Sequence, residues 1–303
     1  LQAFIEQHQP REGGVFCAQS ASDIYLRGGN VTVHALWLSR KELRRWDMVI
    51  DLGHLESRRN IEFWPVDMEA ALHELFALPV PDITALAPVP RQGGPLRIGI
   101  LPLASSPMRT LPPGLVLGLA NGLCADGMAG EIVLNPQQDQ SRLLRTALDA
   151  AGADLRYIED TKSVADLLGL IGQFDYAVYA DSGPAHLSKL AQRPGAAIFT
   201  SAPSDLLIGR HRNLLPLQAQ YSSEYCTAPC GLAKVRQTAD GRVGCMASLG
   251  VAREDLPDII GSPNQDLVRR LLLETPIPCV AALAAEAETF SEAVRADLTG
   301  RLI

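Results

Sequence analysis

Apolar and polar positions alternate most regularly between residues 96 and 200. Leu96-Arg-Ile-Gly-Ile-Leu-Pro-Leu103 has the near-continuous apolar character of a buried strand. Pro112 and Pro113 suit the first turn of a helix running to residue 124. Further strands are expected at 131–134, 155–158, 176–180 and 196–200. Helices are expected at 140–151, stopped by Gly152, at 163–171 with Thr161 or Ser163 as cap, and at 184–191. Strand and helix alternating five times predicts parallel βαβ units, hence an α/β doubly wound sheet with helices on both faces.

The first third is less regular. Strand-like runs lie at 14–18, 31–36 and 48–52, with helices at 1–8, 41–46 and 68–78. Pro79-Val-Pro81 and then Pro88, Pro90, Gly93, Gly94 and Pro95 interrupt both periods. The expected division is an N-terminal domain at 1–86, a linker at 87–95 and a C-terminal domain at 96–303. Trp37, Trp46 and Trp64 read as packing residues, Arg58-Arg59 and Arg269-Arg270 as solvated faces, and His54 as a structural strand end.

With 47% hydrophobic residues and a formal charge of -7, the chain is globular rather than disordered. The acidic balance argues against a nucleic-acid partner. No apolar run reaches the ~18–20 residues of a membrane span, and no signal peptide is visible. The chain starts at Leu1 inside a helix-like segment, so an upstream segment is expected. The absence of an export signal makes a reducing, cytoplasmic location the expectation for the six cysteines.

In an open α/β sheet, ligands meet the carboxyl ends of the strands, where helix N-termini present N–H groups. Three segments there carry chemistry. Ser105, Ser106 and Arg109 lie between a strand and a proline-marked helix, and two hydroxyls with a guanidinium suit phosphate oxygens. An ordinary polar loop is the competing reading. Asp181-Ser182-Gly183-Pro184-Ala185-His186 follows a strand directly. There Ser182 can cap a helix, Gly183 admits a ligand to the backbone, and Asp181 can accept from a sugar hydroxyl. Asn135-Pro-Gln-Gln-Asp139 carries a weaker signal and reads more readily as a solvated turn. Farther on, Cys226, Cys230 and Cys245 crowd together, and Cys279 or a histidine could complete a tetrahedral zinc or iron site. Buried reduced thiols are an equal alternative, and a disulfide ranks third.

The run Tyr179-Ala-Asp181-Ser182-Gly183-Pro184-Ala-His186, with Phe199-Thr-Ser-Ala-Pro203 after it, resembles glycosyltransferase family 9, the ADP-heptose-dependent heptosyltransferases. The family pattern is roughly D-[ST]-G-x-x-H, then a strand and a G-P-[ST]-like turn, here altered to Thr200-Ser-Ala-Pro203. Residues 102–112 are similar to the family's phosphate loop, with Arg109 where Lys or Arg is usual. The stretch Arg45-Trp46-Asp47-Met-Val-Ile-Asp51 resembles one of its first-domain strands, and the cysteine pattern is also found in many members. The likeness is specific at 179–203 and loose before residue 90.

The resemblance implies a GT-B-like fold of two Rossmann-like domains facing a cleft. It implies an inverting enzyme transferring heptose from ADP-heptose, or a similar nucleotide-diphospho-sugar, to lipopolysaccharide core or, in the autotransporter branch, to a protein acceptor. Asp181, Ser182, Gly183 and His186 would hold the donor, and Ser105, Ser106 and Arg109 the departing diphosphate. No metal is implied for the chemistry, and any metal at Cys226, Cys230, Cys245 and Cys279 would be structural. The implied setting is bacterial and cytoplasmic, peripheral to the inner membrane. The family's S-x-G-D-like general-base segment is absent from this sequence, so the base is expected upstream of Leu1. A non-catalytic GT-B-fold nucleotide-sugar-binding or assembly protein is the alternative. A Rossmann oxidoreductase fits poorly, because no G-x-G-x-x-G follows a strand.

Overall fold

A computed structural model describes residues 2–17, 31–51, 67–79, 96–125, 128–152, 155–223, 226–230, 269–274 and 276–302. The expected linker at 87–95 lies outside the described residues, as do His54, Arg58, Arg59, Trp64 and Cys245. The chain divides into two compact units, Leu1–Asp82 with Thr161–Leu167, and Ile83–Asp160 with Leu168–Ile303.

In the first unit, helix α1 (Gln2–His8) precedes strands β1 (Gly13–Cys17) and β2 (Val31–Ala35), which pair in parallel with Gly13 opposite Val31. Helix α2 (Arg40–Leu43) starts at a capping box. In that box the Ser39 hydroxyl accepts from the Glu42 N–H, and the Glu42 carboxylate accepts from the Ser39 N–H at 2.8 Å. Helix α3 (Met68–Leu75) starts at Asp67, whose carboxylate accepts from the Ala70 N–H. Trp46 packs over Gly14, where a Cβ would come within 2.6 Å of the indole, and stands edge-on to Phe16.

Two expectations for this unit are corrected. Trp37 is no packing residue, since it is 91% exposed. The described part of the expected 48–52 strand is not a strand, and Met48, Val49 and Ile50 are exposed. A short apolar run becomes a strand only if a neighbour completes its hydrogen bonds. Among the described residues no third strand joins β1 and β2.

The second unit is built on six parallel strands: β3 (Arg97–Leu101), β4 (Ala129–Val133), β5 (Arg156–Ile158), β6 (Tyr176–Ala180), β7 (Gly195–Phe199) and β8 (Leu214–Gln218). Their spatial order is β5-β4-β3-β6-β7-β8. Counted within this unit it is 3-2-1-4-5-6, the doubly wound order whose direction reverses between the first and fourth strands. Here those strands are β3 and β6, in register with Ile98 opposite Tyr176 and Leu101 opposite Tyr179. A short antiparallel pair follows the sheet, β9 (Tyr221–Ser222) with β10 (Thr227–Ala228).

The connecting helices follow from their sequences. Helix α4 (Pro113–Ala125) begins at proline and buries Leu115, Val116, Leu119, Ala120 and Leu123 as one stripe. Helix α5 (Asp139–Ala150) buries Leu144 and Leu148 and stops at Gly152, whose φ of 72° is left-handed. Helix α6 (Val164–Ile171) is capped by the Ser163 hydroxyl, which accepts from the Asp166 N–H. Helices α7 (Gly183–Ala191) and α8 (Ser204–Ile208) flank β7. After a π-helical turn at Arg270–Glu274, helices α9 (Pro278–Ala285) and α10 (Ala287–Leu302) complete the described chain. Phe290, Val294 and Leu298 of α10 join Ile98, Ile100, Val178 and Ile198 of the sheet in the main core. Burying each such side chain contributes roughly 1.5–3 kcal/mol.

The amino-terminal end of the sheet is held by charge. Glu131 of β4 is fully buried and pairs with Arg97 of β3 and with Arg156 of β5, the latter at 3.0 Å. Arg97 also donates to the Gln173 side chain and lies 5.2 Å over the Phe174 ring. That ring packs against the bare Cα of Gly99, where a Cβ would approach within 2.5 Å.

Because Arg156 is mostly exposed, Arg97 is the partner that compensates the buried carboxylate. Arg97→Ala is expected to destabilise the chain by about 3 kcal/mol, whereas Glu131→Leu, which removes the buried charge itself, costs less. Urea denaturation of the two variants checks this order, and the reverse order would refute it.

Candidate functional site

Strands β3 and β6 are neighbours at the point where the strand order reverses, and in an open sheet of this order a ligand is expected at their carboxyl ends. The loop after β3 carries Ser105, Ser106 and Arg109, and the turn after β6 carries Asp181, Ser182, Gly183 and His186. Sheet order therefore brings together two segments 72 residues apart at Arg109 and Asp181.

The first loop closes on itself. The Leu111 N–H donates to the Pro102 carbonyl at 2.9 Å, and the Arg109 and Thr110 N–H groups both donate to the Ser106 carbonyl. The Ser106 hydroxyl accepts from the Met108 N–H. The buried Thr110 hydroxyl accepts from the Ala104 N–H and lies 2.8 Å from Oε1 of Gln140 at the start of α5. At the loop's open side, Arg109 Nη2 donates to the exposed Ser105 hydroxyl at 2.7 Å. Its Nη1 reaches the Asp181 carbonyl at 3.4 Å and stands 3.7 Å from Oδ1 of the Asp181 carboxylate. Ser105, Arg109 and Asp181 thus form one connected group.

Asp181 is the costly member. Its side chain is 4% exposed, and among the described residues its Oδ2 is buried without a hydrogen-bond partner. Burial pushes its carboxyl above the ordinary value of 3.8, and the Arg109 charge opposes that shift in part. A buried polar atom without a partner calls for an explanation, and among the described residues Asp181 Oδ2 shares this state with His34 Nε2, Glu131 Oε1 and the Tyr179 hydroxyl.

Ser182 occupies the N-cap of α7, but its side chain does not cap the helix as the sequence suggested. With φ of -157° its hydroxyl turns back and donates to the Ala180 carbonyl at 3.3 Å. The helix terminus is therefore left to other acceptors. Gly183 is exposed, with nothing within 4 Å of where a Cβ would stand, so the backbone is open to approach. Exposed His186 follows in the first turn of α7. A guanidinium, a helix N-terminus and an open glycine at one crevice suit an anion with bridging oxygens, such as a diphosphate.

The turn at Asn135 is internally satisfied. Its carbonyl accepts from the Gln138 N–H, its side chain accepts from the Gln137 N–H, and Asp139 pairs with Arg142. Two further residues belong to the site's support, Thr200, which the sequence placed in the altered family turn without a role, and Gln140, which it gave none. Thr200, at the end of β7, donates to the Met108 carbonyl at 3.0 Å. Gln140 meets Thr110. The sequence signal for Thr200 was the family-like turn Thr200-Ser-Ala-Pro203, and for Gln140 a polar residue at a helix start.

The cysteine segment approaches the same loop. Met108 packs with Ala228, Leu271, Ile277, Cys279 and Val280 in one buried cluster. The Cys230 thiol lies 3.8 Å from the Ser201 carbonyl. Burial, and then neighbouring Cys230, push the Cys226 thiol up. None of Cys17, Cys226, Cys230 and Cys279 is in a disulfide. Among the described residues no group of three or more His, Cys, Asp or Glu side chains gathers to hold a metal.

Scans against protein-family models and against curated proteins find no match. Solved structures do match in fold. The E. coli ADP-heptose lipopolysaccharide heptosyltransferase II is 16% identical, with 74% of this chain and 86% of that chain covered and a TM-score of 0.50. The dodecameric iron-containing heptosyltransferase TibC, in complex with ADP-D-beta-D-heptose, is 11% identical over 100% of this chain and 71% of that chain, with a TM-score of 0.51. TibC from enterotoxigenic E. coli H10407 gives 11% identity and a TM-score of 0.50 over 99% of this chain and 71% of that chain. The chain therefore has the α/β, GT-B-like fold of the heptosyltransferases. No helix among the described residues is long and apolar enough to cross a membrane.

Asp181 keeps its proton to higher pH in the native chain than when unfolded, so stability falls as pH rises from 3.8 to the raised native value. Above that window the penalty is constant. Asp181→Asn removes the penalty and is expected to melt higher than the native chain at neutral pH, with the difference closing as pH falls towards 3.8. Thermal melts across this range check the sign, and a variant that melts lower at neutral pH would contradict it.

Proposed function

We propose that this chain is a glycosyltransferase that takes a sugar from a nucleotide-diphospho-sugar of the ADP-heptose type and inverts its anomeric centre. The observation that carries the reading is the group of Ser105, Arg109 and Asp181 at the reversal point of a heptosyltransferase-like sheet, beside the open N-terminus of α7. Two of the fold neighbours are described as ADP-heptose or ADP-D-beta-D-heptose proteins, which selects ADP as the nucleotide to test first.

The chemistry assigns roles to these groups. The bond between the anomeric carbon and the diphosphate oxygen breaks, and its electron pair leaves with the ADP. The acceptor hydroxyl attacks the opposite face, and its proton passes to a general base. Negative charge grows on the departing diphosphate, where Arg109 and the Gly183 N–H at the start of α7 are already fixed and need little rearrangement. Arg109 is three-quarters shielded from water, so its attraction is less screened than at an open surface. Asp181, with an unfilled acceptor oxygen, would take a hydrogen bond from a donor hydroxyl, and Ser182, Gly183 and His186 complete the donor side. The acceptor is lipopolysaccharide core or a protein. The transfer itself needs no metal, and a metal held by Cys226, Cys230, Cys245 and Cys279 would be structural.

Calorimetry with ADP, ADP-heptose and other sugar nucleotides tests the reading, and the absence of binding by all of them would overturn it. Arg109→Ala is expected to lower kcat/KM for the donor by about 10²-fold, the loss typical when one preorganised charge-stabilising donor is removed. Asp181→Ala is expected to weaken donor use as well. Unaltered turnover in both variants would show that the donor sits elsewhere.

A further inference from the structure

Resting on this reading of the site, we infer that Thr200 is a positioning residue that sets the reach of Arg109 towards the diphosphate. The bond from the Thr200 hydroxyl to the Met108 carbonyl spans from the end of β7 to the loop after β3, across the end of β6 that lies between them. It therefore closes over the place where Asp181 leaves the sheet. The peptide group joining Met108 to Arg109 is held at both edges. Its carbonyl accepts from Thr200 at 3.0 Å, and its N–H donates to the Ser106 carbonyl at 3.1 Å. With that plane fixed, the direction in which the Arg109 side chain leaves the backbone is fixed too.

The tether lies away from water, since Thr200 is 1% and Met108 6% exposed. No solvent stands ready to replace the hydroxyl, and a Met108 carbonyl left without a donor would turn towards one. Such a turn rotates Arg109 away from Ser105 and Asp181. The Thr200 hydroxyl is given to the Met108 carbonyl, the Arg109 guanidinium bonds Ser105 and Asp181, and nothing stands within 4 Å of a Cβ at Gly183, so Thr200 acts on a ligand through the loop.

The experiment measures ADP and AMP affinities by calorimetry for the native chain and for Thr200→Val, Thr200→Ser, Arg109→Ala and the Thr200→Val/Arg109→Ala pair. Thr200→Val keeps the shape and removes the hydroxyl, and is expected to weaken ADP by about tenfold while AMP changes little. Thr200→Ser restores the donor and is expected to return the native ADP-to-AMP ratio. In the double variant the loss matches that of Arg109→Ala alone, because both act through one guanidinium. A native ADP-to-AMP ratio in Thr200→Val, an equal weakening of both nucleotides, or additive losses in the double variant would overturn the inference. A native chain that binds neither nucleotide would overturn the reading of the site, and the inference with it.

Discussion

The pairing of β3 with β6 is the contact on which the rest depends. Leu101 and Tyr179 end up opposite one another although the βαβ path between them passes through two other strands. Parallel neighbours that are not consecutive in sequence must send their outgoing loops to different sides, and the gap between those loops is the crevice. The close approach behind this pairing is legible at Gly99, whose missing side chain lets the Phe174 ring lie on β3. Arg97 covers that ring and at once compensates Glu131 on the next strand. Charge is thus paired at the amino-terminal end of the sheet, away from the loops that follow the carboxyl ends.

That difference between the two ends has a physical meaning. Glu131 lies beside two guanidinium groups, whereas Asp181 faces one at 3.7 Å, and among the described residues each keeps one buried carboxylate oxygen without a hydrogen-bond partner. A chain selected for stability alone would gain by replacing Asp181 with a neutral residue of similar shape. Local violations of polar satisfaction tend to persist where binding needs them. The same contrast separates the serines. Ser163 caps its helix in the ordinary way, while Ser182 gives its hydroxyl to Ala180 and leaves the α7 terminus open.

Much of this was legible in the sequence because it follows from periodicity. Five strands of the larger sheet, the proline start of α4 and the glycine stop of α5 all lie where pattern and turn chemistry put them. The sixth strand, β8, was missed because Pro216 interrupts it, and proline argues against a central strand. It is tolerated because β8 is the edge strand, paired only with β7 among the described residues. The apolar run at 48–50 was overread for the opposite reason, since hydrophobicity cannot reveal whether a pairing partner exists. At the site, the motif named Asp181 and Arg109 but not their relation, which comes from strand order. Nor could it show Ser182 turning away from the helix.

Thr200 was legible as the first residue of a family-like turn but not as the partner of the Met108 carbonyl, and the packing around Met108 explains why that bond matters. The loop carrying Arg109 is anchored on one side by hydrogen bonds from Thr200 and within itself. On the other side the Met108 side chain is gripped by Ala228, Ile277, Cys279 and Val280. A methionine is soft and fills whatever space its neighbours leave, so packing alone would hold the loop without fixing its orientation. A hydrogen bond to the carbonyl of the same residue supplies the direction that packing lacks. Together they hold the Arg109 loop in one arrangement, the condition under which, on the proposed reading, a fixed cation would lower a barrier rather than merely follow the charge. The cysteine-bearing segment thus bears on the site mechanically, through the wall it forms behind Met108.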